Sequence, residues 1–85
     1  MPLFLIEYFT ERNTKKVEIA EAIEGANSLP ELVQKLDRAA DRYNRARIYI
    51  LREDKYIRIL TADLREWREL RDEEREQKDK HGLHK

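Results

Sequence analysis

The 85-residue chain has no cysteine and only two glycines, two prolines and two histidines. Without cysteine, neither a disulfide nor a thiolate metal site can staple a small fold. Because Gly25 and Gly82 are the only glycines, a glycine-rich phosphate-binding loop is excluded. No apolar run approaches the roughly 20 residues that a membrane-spanning helix needs. These absences indicate one small domain that is held together by its hydrophobic core.

The charges of the chain are balanced, with 18 basic and 18 acidic residues and a formal net charge of zero. A chain without net charge has no strong field to attract nucleic acid or an anionic membrane. Met1–Ile6 is apolar but lacks the basic start and the length of a secretory signal. The lack of cysteine fits a reducing compartment, so we expect a cytoplasmic protein with no membrane association.

The N-terminal segment Leu3–Thr10 is rich in β-forming residues and is followed by a polar turn, which predicts a strand. Both of its faces carry apolar side chains, as is typical of a central strand that is covered on both sides. Beyond the turn, Val17 and Ile19 alternate with polar residues and predict a hairpin strand from Lys15 to Ala22. A short helix there is the competing interpretation.

The clearest local signal is Ser28-Leu29-Pro30-Glu31, which has the spacing of a capping box. Proline is tolerated in the first turn because its missing N–H has no helical partner there. Apolar residues then recur at helical spacing as far as Tyr43, which predicts an amphipathic helix ending near Asn44.

The next two segments, Arg45–Arg52 and Lys55–Leu60, predict a second hairpin that turns at Glu53-Asp54. Strict alternation gives this hairpin one apolar face, expected to pack on the helix, which contains Ala46, Ile48, Ile50, Ile57 and Ile59. The opposite face is mixed and contains Arg47, Tyr49, Leu51, Tyr56, Arg58 and Leu60.

A last helix is predicted from about Ala62 towards Lys80, capped by Thr61 or Asp63 and stopped at Gly82. Its apolar stripe is expected to cover the second face of the sheet and consists of Leu64, Trp67 and Leu70. From Arg71 to Gly82 no hydrophobic residue follows, so residues 71–85 are expected to be a charged extension of a compact domain at 1–70. That extension could be a free charged arm, or it could fray beyond Gln77.

The predicted order is therefore β-β-α-β-β-α. It defines an α+β domain with a four-stranded, mostly antiparallel sheet and a capped amphipathic helix on one face.

The polar residues form no catalytic constellation. His81 and His84 have metal-ligand spacing, but Gly82 separates them, no third ligand is evident and the chain end is expected to be loose. Carboxylate pairs such as Asp37/Asp41 lie at outward helical positions, where nothing desolvates them. We expect a protein that is not an enzyme, with no cofactor, metal or small-molecule substrate.

Two groups of residues are expected to contact a partner, because Trp, Tyr and Arg carry interface energy. The first, on the mixed sheet face, is Arg47, Tyr49, Tyr56 and Arg58; the second, on the last helix, is Trp67, Arg68, Arg71 and Arg75. Three apolar residues are few for covering a four-stranded face, so a second copy is expected to complete it as a homodimer.

The function predicted from these features is that of a protein-interaction module, a small adaptor or inhibitor that binds a surface of another macromolecule. Small size without cysteine or targeting signals is also typical of phage and mobile-element accessory proteins. The alternative is nucleic-acid binding, in which bases stack on the sheet tyrosines while arginines hold phosphates.

Overall fold

The chain pairs its strands into one antiparallel sheet with the order β2-β1-β3-β4. The computed structural model describes residues 1–10 and 19–83, with side chains as far as residue 76. The elements are β1 (Phe4–Phe9), β2 (Ala22–Ala26), α1 (Leu29–Ala39), β3 (Arg45–Arg52), β4 (Lys55–Asp63) and α2 (Leu64–Leu83). The predicted α+β class and the β-β-α-β-β-α order are confirmed.

One face of the sheet carries the hydrophobic core and both helices. On β1 every second side chain is buried, and these pack with α1, with the middle of β3 and with the first residue of α2. The members of this core include Phe4, Ile6, Tyr8, Leu32, Leu36, Ala46, Ile48 and Leu64. The expectation that α2 covers the second face is wrong, because Leu64 is fully buried on the same side as α1.

The central position predicted for the first strand is confirmed, since β1 lies between β2 and β3. The second strand is observed at Ala22–Ala26, whereas the predicted hairpin strand was Lys15 to Ala22, of which residues 15–18 lie outside the described residues. Ile19 lies outside it and is 79% exposed, so its predicted inward position is wrong. The small residue Gly25 lets Pro2 lie directly against β2, because a Cβ added at this glycine would stand 2.6 Å from the proline Cγ.

Helix α1 begins at the predicted cap. Ser28 Oγ accepts a hydrogen bond from the N–H of Glu31 at 3.3 Å, while the Glu31 carboxylate accepts from the N–H of Asn27 at 3.1 Å and not from Ser28 as predicted. The helix ends at Ala39, short of Asn44. Tyr43 therefore lies beyond the helix, where its ring stacks on Tyr8 with centroids 5.1 Å apart.

The β3–β4 hairpin turns at Glu53 and Asp54, as predicted, with positive φ angles of 49° and 65°. The pairing shifts register at Ile48/Tyr49, so that Tyr49 lies opposite Arg58 and Ile48 lies opposite Leu60. Ile59 is the extra residue of this bulge. Leu60 therefore shares the helix-bearing face of the sheet, which corrects its predicted place on the mixed face.

Helix α2 follows β4 without a loop. Asp63 is the cap, because its Oδ1 accepts from the N–H groups of Arg65 and Glu66 at 2.9 and 3.4 Å. The helix runs unbroken past Leu70 and includes Gly82, the predicted stop. Its side chains become more exposed along its length, and from Asp72 to Glu76 all of them are exposed. Among the described residues, no helix is long and apolar enough to cross a membrane.

Candidate functional site

The sheet face opposite the helices carries all four of the partner-binding residues predicted on strands. We call it the open sheet face, because neither helix lies on it. Paired residues of antiparallel strands point to the same side, so register places its members on this face. They are Leu5, Glu7, Phe9, Ile23, Gly25, Arg45, Arg47, Tyr49, Leu51, Tyr56, Arg58, Thr61 and Asp63.

Two arginines of β3 lie over an aromatic ring on the open sheet face. The guanidinium carbon of Arg47 is 4.7 Å from the centroid of the Phe9 ring, and that of Arg45 is 6.0 Å away. A cation at this distance is attracted by the ring's π-electrons. Phe9 is only 4% exposed, so its ring is buried and the guanidinium groups lie on its outer side.

Both sheet tyrosines use their hydroxyl groups within the fold. Tyr49 donates to Glu7 Oε1 at 2.5 Å, and Tyr56 donates to the carbonyl oxygen of Pro2 at 2.7 Å. The bond to the Glu7 carboxylate raises the pKa of Tyr49, because it favours the protonated phenol. These bonds fix two partly buried aromatic side chains on the open sheet face before any partner arrives.

The charge of the open sheet face is mainly positive. It carries three arginines, of which Arg58 is exposed and its guanidinium group makes no hydrogen bond or ion pair with any described residue. The group contains two carboxylates: Glu7, whose oxygen accepts from Tyr49, and Asp63, whose Oδ1 caps α2. The face therefore offers positive charge among partly exposed apolar residues, such as Ile23, which is 59% exposed.

Three of the four partner-binding residues predicted on α2 bind α1 in the folded chain. Trp67 Nε1 donates to Asp37 Oδ1 at 3.1 Å, and Arg68 Nε donates to the carbonyl oxygen of Ala40 at 2.7 Å. Arg71 donates to the Asp37 carbonyl oxygen at 3.0 Å and to Asp41 Oδ1 at 2.7 Å. The last carbonyls of a helix have no partner within it, and these side chains supply partners to two of them.

The same contacts change the titration of the groups involved. The hydrogen bond from Arg71 lowers the pKa of the Asp41 carboxyl, and the pKa of Arg71 is raised in turn. Arg75, the fourth predicted residue, is exposed on the next turn of α2. The eight predicted residues thus divide between opposite sides of the sheet and do not form one surface.

The structure also shows an interhelix crevice that sequence reasoning missed. Two adjoining cavities of about 470 and 490 Å³ share Val33 and Asp37 of α1. Leu29 lies in the first and Leu70 of α2 in the second, and these leucines are 62% and 60% exposed. In the sequence, Leu29 and Val33 fit the apolar pattern of α1 and looked like core residues. Only the path of α2 shows that Leu29 and Val33 lie outside the core.

No group of three or more metal-ligating side chains occurs in the part of the chain whose side chains are described. The His81 and His84 side chains lie outside that part. Comparison with known proteins found no matching family model, no matching curated protein and no matching solved structure.

Proposed function

We propose that the protein is a non-enzymatic interaction module of the cytoplasm, an adaptor or inhibitor that binds an acidic segment of another protein. The observation that carries this proposal is the open sheet face. It combines arginines with aromatic and aliphatic side chains, and its Tyr49 and Arg47 are already held in place by Glu7 and Phe9. Side chains that are fixed before binding lose little entropy when a partner arrives.

Charge favours an acidic partner. Three arginines outnumber the two carboxylates, Glu7 and Asp63, both of which already accept hydrogen bonds within the fold. This excess attracts negative charge and repels basic surfaces, which affects partner choice and association rate more than total affinity. Arg58 is the arginine best placed to bind a carboxylate of the partner, because it is exposed and lies directly across from Tyr49.

The aliphatic residues favour a protein over a nucleic acid. Leu5 and Leu51 are partly buried on the open sheet face, and Ile23 is more than half exposed. Aliphatic side chains offer no ring for base stacking, whereas they pack well against apolar residues of a peptide. Nucleic-acid binding through Tyr49 and Arg58 remains the second candidate.

The experiment measures fluorescence anisotropy of three labelled probes with the full chain. The probes are a short peptide of alternating Glu and Leu, the same peptide with Lys in place of Glu, and a mixed-sequence single-stranded oligonucleotide. We expect only the Glu–Leu peptide to bind, with an affinity that falls as salt is added.

Matched charge reversals test whether the binding uses the open sheet face. Arg58→Glu is expected to lower the affinity for the Glu–Leu peptide about tenfold. Arg42→Glu makes the same change in charge on an exposed residue just beyond α1 and is expected to leave binding nearly unchanged. Equal weakening by both variants, or equal binding of the two peptides, contradicts the proposal. Preferential binding of the oligonucleotide, lost in Tyr49→Ala, establishes the nucleic-acid alternative.

A further inference from the structure

The interhelix crevice is a second surface, separate from the open sheet face. α2 starts in the core at Leu64 and leaves the sheet as it rises, so that Trp67 is only partly buried and Leu70 is 60% exposed. The crevice between the diverging helices has Val33 on its α1 wall, and Leu29 lies in the cavity that adjoins it along α1. Exposed aliphatic side chains on both walls are costly in water and mark a contact site when they cluster.

Strand β4 extends the apolar surface on the same side of the sheet. Ile57 lies opposite Ile50 and Leu60 lies opposite Ile48, so both share the helix-bearing face, yet each is 52% exposed. Added to Leu29, Val33 and Leu70, they leave on the order of 500 Å² of aliphatic surface in water on this side of each copy. Two such surfaces approach the roughly 1,200 Å² that the smallest stable interfaces bury.

We infer that this surface is covered by a second copy of the chain, with Leu70 of each copy inserted into the crevice of the other. The rim of the crevice carries two acids, Asp37 and Glu74, and two bases, Arg71 and Arg75. A balanced rim selects neither an acidic nor a basic partner, and it lets two identical surfaces meet without net repulsion. The formal net charge of zero also removes long-range repulsion between copies.

The geometry suits a two-fold axis. Leu70 of α2 and Val33 of α1 line the same cavity, so each copy supplies both the inserted side chain and its receiving wall. In a two-fold interface each such contact occurs twice. A single substitution therefore removes two contacts from the dimer.

The first test measures the dimer dissociation constant by sedimentation equilibrium. Leu70→Glu is expected to raise it about a hundredfold, about tenfold for each copy of the contact. Because Leu70 is already exposed, the variant is expected to keep the far-ultraviolet circular dichroism of the parent. Ile23→Glu is the matched control, since Ile23 is 59% exposed but lies on the open sheet face, and it is expected to leave the dimer intact.

The second test uses the absence of cysteine to report contacts between copies only. Val33→Cys protein and Leu70→Cys protein are mixed and oxidised, and a disulfide joining one of each is expected. A mixture of the Ile23→Cys and Leu70→Cys proteins is expected to give none. A chain that stays monomeric up to about 1 mM overturns the inference. A dimer that Ile23→Glu breaks and Leu70→Glu leaves intact also overturns it, because that dimer uses the open sheet face.

Discussion

The divergence of α2 from the sheet predicts that two leucines of one helix differ sharply in their contribution to stability. Leu64 is fully buried, whereas Leu70 is 60% exposed. Replacing a buried leucine by alanine removes its packing and leaves a cavity, which costs about 3 kcal/mol. At Leu70 the lost burial is small, and the higher helix propensity of alanine offsets part of it, so the expected cost is below about 0.5 kcal/mol.

The assay is urea unfolding at a protein concentration low enough to keep the chain monomeric. Trp67 is the only tryptophan and lies between the two leucines, so its fluorescence reports the docking of α2. With a slope of about 1 kcal/mol per molar urea, Leu64→Ala is expected to lower the midpoint by about 3 M, and Leu70→Ala by less than about 0.5 M. Equal losses in the two variants would show instead that α2 packs on the sheet along its whole length.

Three other predictions concern single contacts. Replacing the turn residues by Glu53→Asn and Asp54→Gly is expected to stabilise the protein by about 1 kcal/mol, because both positions have positive φ; a lower thermal midpoint would contradict this. Gly25→Ala is expected to cost about 1 kcal/mol in urea unfolding, because its Cβ would collide with the N-terminal proline ring, and an unchanged midpoint would argue against that contact. Burial, and to a smaller extent the nearby Glu24 carboxylate, raises the pKa of Tyr8. The stability that the protonated phenol contributes is therefore complete below the ordinary tyrosine pKa and is lost as the pH rises above that value. Tyr8→Phe is therefore expected to flatten the fall in urea midpoint between about pH 9 and pH 11, and an unaltered slope would contradict this.

Local signals explain why most elements were predictable from the sequence. Ser28 and Pro30 mark the start of α1, and the apolar spacing that follows marks its buried face. The strand β1 was recognisable because both of its faces carry β-forming residues. The β3–β4 hairpin follows from its alternation, although both turn residues lack the usual asparagine or glycine.

The errors arose where tertiary contacts override local pattern. The strand β2 has the sequence Ala-Ile-Glu-Gly-Ala, which is poor in β-forming residues, and it forms because β1 offers a partner. A bulge at Ile59 moved Leu60 to the opposite face, and alternation alone cannot reveal a bulge.

The candidate site was predictable in composition but not in arrangement. The side-chain types on the mixed hairpin face correctly indicated Arg47, Tyr49, Tyr56 and Arg58 as members of one surface. The sequence could not show that Arg68 and Arg71 supply partners to the last carbonyls of α1, because that contact depends on the angle between two helices.

We propose above that the open sheet face binds an acidic protein segment. The most direct measurement is a ¹H–¹⁵N correlation spectrum of the full chain titrated with the Glu–Leu peptide. We predict that the shifted resonances map to β1, β3 and β4 around Tyr49 and Arg58, while those of the exposed α1 wall around Val33 stay in place. Shifts confined to the interhelix crevice, or no shifts at saturating peptide, would contradict the claim.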